Sequence, residues 1–103
     1  RHRMLRKLLL TTSLLCATGA VQAADLVTPS QALAATCFNC HGPHGVSTAA
    51  IPSLAGRTSA SIVETMAEYK TGKRTGTIMP QIAKGYTDEQ IAVIATYFSQ
   101  QKQ

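Results

Sequence analysis

The sequence predicts an all-α domain, about three to four helices wrapped around a bound group. Three observations in the sequence carry that expectation. Three segments open on helix-capping residues and continue with apolar side chains at helical spacing; no stretch alternates polar and apolar residues as a half-buried strand would. The helices are separated by two loops of about 15 residues, 42–57 and 72–86, rich in Gly, Pro, Ser and Thr, and connections that long are uncommon in a compact domain unless they serve a site.

Taken in chain order, the first segment is an address. Residues 1–23 read as a secretory signal peptide: a basic start with Arg1, Arg3, Arg6 and Lys7, an apolar stretch from Leu8 to Ala17, then small residues ending in Val21-Gln22-Ala23. Signal peptidase accepts small residues three back and one back from the cut, so cleavage is expected after Ala23 or Ala24. An uncleaved anchor is the alternative, but the apolar run, about 14 residues when counted on to Val21, is broken by Thr11, Thr12 and Ser13 and falls short of the roughly 20 that span a bilayer. Cys16 does not mark a lipoprotein, because Leu15 precedes it where a small residue is required. Met4 follows Arg1-His2-Arg3 and is an alternative start. Export of this kind points to a bacterial periplasm, with no stable membrane insertion after cleavage.

The charge follows from that division. The chain has 10 Lys+Arg against 5 Asp+Glu, a net +5. From residue 24 onward, six basic residues (Arg57, Lys70, Lys73, Arg74, Lys84, Lys102) face five acidic ones (Asp25, Glu64, Glu68, Asp88, Glu89), a net +1. A nucleic-acid partner needs a basic face on the folded part, and that face is missing. The remaining segment, 24–103, is expected to form one domain. A domain that small rarely stabilises itself without disulfides, a metal or another staple.

Its first helix is expected to open at Thr28-Pro29-Ser30-Gln31, with Thr28 as cap, Pro29 in the first turn and Gln31 completing a capping box, and to run to about Thr36. The second is expected to begin near Ser59 or Ser61, to place Ile62, Met66 and Tyr69 on one face, and to end at Gly72. The third carries the clearest signals. Thr87 caps, Gln90 answers it, Tyr86 can staple against Ile91, and Ile91, Ile94, Ala95 and Phe98 form one apolar stripe.

Cys37-Phe38-Asn39-Cys40-His41 supplies the missing staple, because C-x-x-C-H is the attachment sequence of a c-type haem. Its two thiols are spaced to add to the two haem vinyl groups while the adjoining imidazole reaches the iron. A thioredoxin-like pair requires a βαβ setting, of which there is no sign, and a zinc site requires further ligands where only His41 and His44 follow Cys40. The second axial ligand must come from a distant part of the chain. Met79, in Thr77-Ile78-Met79-Pro80, is the candidate; Met66 falls on the apolar face of a helix, Met4 leaves with the signal, and His44 is too close to His41 to reach round the haem. A thioether opposite a histidine fills both axial positions and suits electron transfer.

On Cys37–His41 and Met79, and on the order of helix, haem motif, loop, helix, methionine loop and C-terminal helix across 28–101, the chain resembles the class I cytochromes c. Pro52-Ser53-Leu54-Ala55-Gly56 is similar to the P-x-L-x-G segment of that class. The resemblance implies that the Pro52 carbonyl accepts a hydrogen bond from the far ring nitrogen of His41; an ordinary proline turn is the alternative. A narrower resemblance lies in Cys40-His41-Gly42-Pro43-His44-Gly45, in Tyr69-Lys70-Thr71-Gly72 and above all in Thr77–Tyr86, which look like the haem-binding cytochrome subunit of flavocytochrome c sulfide dehydrogenase. It implies a flavoprotein that oxidises sulfide as the electron donor. Many such subunits carry two haem domains, whereas this chain has one C-x-x-C-H.

These readings make the chain an electron-transfer protein carrying one covalent haem c, not an enzyme in its own right, since no acid, base or nucleophile constellation is present. Leu33, Leu54, Ile62, Met66, Ile78, Ile82, Ile94 and Phe98 are the expected haem wall and the helix contacts around it. Arg57 is either the partner of a haem propionate or a solvated loop residue. Val46, Ala49, Ala50 and Ile51 either form a docking surface near the haem edge or pack into the pocket. A docked subunit of a sulfide dehydrogenase, a freely diffusing carrier to a terminal oxidase or reductase, and a ligand-binding haem sensor are the functions to separate.

Overall fold

The computed structural model describes residues 27–103; the expected signal peptide lies outside the described residues. Four helices follow in order, α1 (Pro29–His41), α2 (Ser59–Thr71), α3 (Met79–Lys84) and α4 (Asp88–Ser99), and among the described residues there is no strand. The expected all-α architecture is what forms. No described helix is long and apolar enough to cross a membrane.

Thr28 caps α1 by accepting from the Gln31 backbone N–H at 3.2 Å, and Pro29 occupies the first turn, where a missing N–H is no loss. The helix does not stop near Thr36. It continues for thirteen residues through Cys37–His41. Nothing in that pentapeptide breaks a helix, and the first breaker is Gly42-Pro43. Gly42 has φ +85, and a Cβ there would run into the Val46 carbonyl oxygen, so this stop is a glycine position. Its N–H donates to the Phe38 carbonyl at 3.0 Å. A short 3-10 turn over Pro43–Gly45 follows, with His44 in the left-handed region at φ 53.

α2 begins at Ser59, one of the two expected starts, and Thr58 caps it, accepting from the Ser61 N–H at 3.2 Å. Gly72 ends that helix in the left-handed conformation, as its position in the sequence predicts. The second long loop contains α3, six residues beginning at Met79 with Pro80 in its first turn. A helix that short leaves no periodicity in the sequence. On α4 the capping box is complete: Thr87 Oγ1 accepts from Gln90 N–H at 3.1 Å, and Gln90 Oε1 accepts from Thr87 N–H at 2.9 Å.

The apolar stripe on α4 organises the rest. α4 packs against α1 on one side and α2 on the other, and α3 lies against α2. The core is Ala34, Ile62, Ile94, Ala95, Tyr97 and Phe98, with Leu33, Phe38, Leu54 and Met66 packed against it. Each large apolar side chain removed from water there contributes roughly 1.5–3 kcal/mol. Phe38, Tyr97 and Phe98 form an aromatic group, Tyr97 meeting Phe98 edge-on with centroids 5.3 Å apart. Ala34 and Ala95 are fully buried, and their small side chains permit close approach where α1 and α4 meet.

Candidate functional site

Running α1 through the pentapeptide sets the geometry of the site. Residues three and four apart share a helix face, so Cys37, Cys40 and His41 project together from the last turn of α1. All three line one cavity of about 390 Å³, within the range of small-molecule and cofactor sites. Pro52 and Met79 line the same cavity. The five residues singled out in the sequence therefore meet around one space, from one helix end, one loop and the start of another helix.

His41 is buried, at 9% exposure. Its Nδ1 lies 2.6 Å from the Pro52 carbonyl oxygen. A carbonyl oxygen carries no hydrogen, so Nδ1 must donate, and the neutral ring then holds its free lone pair on Nε2. Pro52 is itself held in place. Leu54 and Ala55 N–H both donate to the Gly45 carbonyl, at 2.8 and 3.1 Å, Ser47 N–H donates to Ser53 Oγ at 2.8 Å, and Gly56 N–H donates to the Phe98 carbonyl at 2.9 Å. Burial pushes the Cys37 thiol above its ordinary pKa, with a hydrogen bond to Thr36 working in the opposite direction. Cys40 is exposed, at the rim.

The cavity wall is mainly apolar, and Leu54, Ile62, Met66, Ile78, Ile82 and Ile94 all contribute to it as expected. Leu33 and Phe98 do not. They sit in the helix core behind it, because the α4 stripe divides: Ile91 and Ile94 face the cavity while Phe98 packs among Phe38, Tyr97 and Gly45. Met66 is both core and wall. Arg57 lines the cavity, half-buried, and Ile51 lines it while remaining 41% exposed. His44 is exposed yet anchored, hydrogen-bonded to the Tyr97 hydroxyl and 5.1 Å from the Phe38 ring. Thr36, Thr65, Tyr69, Thr77 and Tyr86 also line the cavity and were not singled out as site residues by the sequence. Thr36 precedes Cys37 and Tyr86 precedes a helix cap, and neither position signals a site by itself.

The donor set fits a c-type haem: two thiols, a buried imidazole with its lone pair on Nε2 and a thioether, around an apolar cavity. Among the described residues no group of three or more His, Cys, Asp or Glu gathers as a metal cluster.

A protein-family model described as "Cytochrome C oxidase, cbb3-type, subunit III" matches residues 24–98. The chain belongs to this cytochrome c family. The cytochrome is similar to the "Cytochrome subunit of sulfide dehydrogenase" of Chlorobaculum tepidum, 44% identical over 66 residues that cover 64% of this chain and 60% of that protein. It is also similar to "Cytochrome c4" of Pseudomonas aeruginosa, 39% identical over 102 residues, 98% of this chain and 49% of that protein. A third relative, "Cytochrome c-554(548)" of Halomonas halodenitrificans, is 38% identical over 71 residues, 65% of this chain and 86% of that protein. The cytochrome thus spans 60% and 49% of the length of the first two. Membership makes it an electron-transfer protein with covalently attached haem c, and Cys37 and Cys40 lie inside the matched segment.

Proposed function

We propose that this cytochrome is exported and carries one haem, held by Cys37 and Cys40 and ligated by His41 and Met79, and that it takes electrons from a sulfide-oxidising flavoprotein. The observation that carries the ligation is the bond from His41 Nδ1 to Pro52 O in a cavity that Met79 also lines. When bound, haem supplies one-electron chemistry between two iron oxidation states. The chain's own work is to attach, orient and shield. Cys37 and Cys40 fix the group covalently. Pro52 sets the tautomer and orientation of His41. The Met79 thioether would be the second protein ligand to the iron and would favour its reduced state. The apolar wall limits water and so tunes the potential. Arg57, which lines the cavity, would balance a propionate. Two ionised propionates, on their ordinary carboxyl pKa values, would bring the net charge of residues 24–103 from +1 to about −1.

The sulfide-oxidising partner is supported by the similarity to the Chlorobaculum tepidum cytochrome subunit and by the Tyr69–Gly72 and Thr77–Tyr86 segments. A second reading, a freely diffusing periplasmic carrier, is favoured by the Halomonas halodenitrificans cytochrome, of whose length the matched segment covers 86%. Mixing the purified holoprotein with a sulfide-oxidising flavoprotein and sulfide separates them. Rapid haem reduction with co-elution of the two proteins is expected; reduction by unrelated donors only, with no complex, favours the diffusible carrier. The weak sulfur-to-iron charge-transfer band in the far red of the oxidised protein tests Met79, and its absence leaves the sensor reading in place. Cleavage after Ala23 is tested by the mass of the exported protein.

A further inference from the structure

The segment that carries Met79 is fastened at both ends by two adjacent residues of α2, Tyr69 and Lys70. Before Met79, Gly76 sits so close to Tyr69 that a Cβ there would lie 3.0 Å from its Cε1 and 3.2 Å from Pro80 Cδ. The Arg74 guanidinium covers the same ring, 5.8 Å from its centroid. After α3, Lys70 Nζ donates to the Tyr86 carbonyl at 2.8 Å and pairs with Asp88 Oδ1 at 3.0 Å, with its side chain only 25% exposed. The other end of Tyr86 is tied as well: its hydroxyl shares a hydrogen bond of 2.8 Å with Thr36 Oγ1, fifty residues away and next to Cys37. Thr36, Tyr69, Tyr86 and Met79 all line the one cavity.

We infer that Lys70, Tyr86 and Thr36 form a strap that positions Met79, tying the corner after α3 to α2 through a charged donor and to the cysteine-bearing turn of α1 through the phenol. The inference rests on the His41/Met79 reading above. None of the three is a ligand in that reading; each acts on where the Met79 segment sits. A charge-assisted bond is about twice as strong as a neutral one, so Lys70 is the stronger tie and the Tyr86–Thr36 bond the weaker. Loosening either raises the fraction of molecules in which Met79 has left its place, without unfolding the helices.

The test uses the ferric holoprotein and imidazole, which binds at the iron position a departing thioether vacates, one ligand replacing another with no change in oxidation state. Lys70→Met and Tyr86→Phe are compared with wild type and with Thr28→Ala, which removes the α1 N-cap far from the strap. Removing a tie is expected to raise the apparent imidazole affinity about tenfold for Lys70→Met and about fivefold for Tyr86→Phe. Thr28→Ala is expected to lower the unfolding midpoint and leave imidazole affinity unchanged. Thr36→Val, at an exposed position, probes the phenol bond if Tyr86→Phe fails to mature. A charge-transfer band in wild type, with imidazole affinities in the strap variants no higher than in Thr28→Ala, overturns the strap alone. No band in wild type overturns the Met79 ligation, and the strap with it.

Discussion

Phe98 lies directly over the Cα of Gly45: a Cβ at position 45 would stand 2.6 Å from Phe98 Cδ1 and 2.8 Å from its Cε1. Gly45 also has φ +81, a conformation that disfavours any side chain. Its carbonyl receives the two N–H groups of Leu54 and Ala55 that hold the Pro52 loop. Gly45→Ala is therefore expected to cost about 2–4 kcal/mol, from left-handed strain and overpacking together. Urea unfolding of the holoprotein measures it, and a loss under about 0.5 kcal/mol, the level of an ordinary surface substitution, would contradict the contact. Adding Phe98→Leu should recover part of the loss, which a double-mutant cycle reads as coupling between neighbours.

Preventing attachment should unfold the chain. The helices enclose a cavity of about 390 Å³ with a mainly apolar lining, which without its contents exposes that wall to water. Binding free energy in such a domain is folding free energy. Cys37→Ala/Cys40→Ala is expected to lose most of its far-ultraviolet helix signal. A retained native helix content would mean that the Ala34–Phe98 core suffices alone.

The legible and the hidden parts of this molecule divide along physical lines. α4 was readable because capping box and apolar stripe reinforce one another, and Cys37–His41 because its chemistry is written in consecutive residues. The length of α1 was not, since the haem pentapeptide carries no helical stripe and only Gly42 shows where the chain must turn. α3 was hidden because six residues hold less than two turns of periodicity. The division of labour on α4, with Ile94 toward the cavity and Phe98 toward α1, depends on which neighbour packs where. Thr36 and Tyr86 meet across fifty residues, and no local pattern reports a contact of that separation.

Alkaline pH should weaken the protein through Tyr97. Burial pushes its phenol above the ordinary value near 10. A folded-state pKa raised above the unfolded one gives stability that is complete below about pH 10 and is lost as pH rises through the folded value. The urea midpoint is expected to fall above about pH 10 in wild type. In Tyr97→Phe that fall should be smaller, and equal slopes in the two proteins would remove Tyr97 from the cause.

Electron exchange should depend on Ile51 and Ile78. Both line the cavity and remain exposed, at 41% and 56%. Ile78→Lys places a charge on this apolar rim without touching Cys37, Cys40 or His41. Stopped-flow reduction by the flavoprotein, compared with wild type at equal driving force because Ile78 also lines the cavity, is expected to slow several-fold. An unchanged rate would place the docking surface elsewhere.

The extension of α1 to His41 has a temporal consequence. Both attachment thiols and the imidazole belong to α1, the first of the described helices, so they are synthesised before Met79, α3 and α4. An attachment apparatus therefore needs to recognise only a short, early peptide. The later helices then condense onto a group already anchored, so the haem can serve as the nucleus on which the remaining chain is assembled.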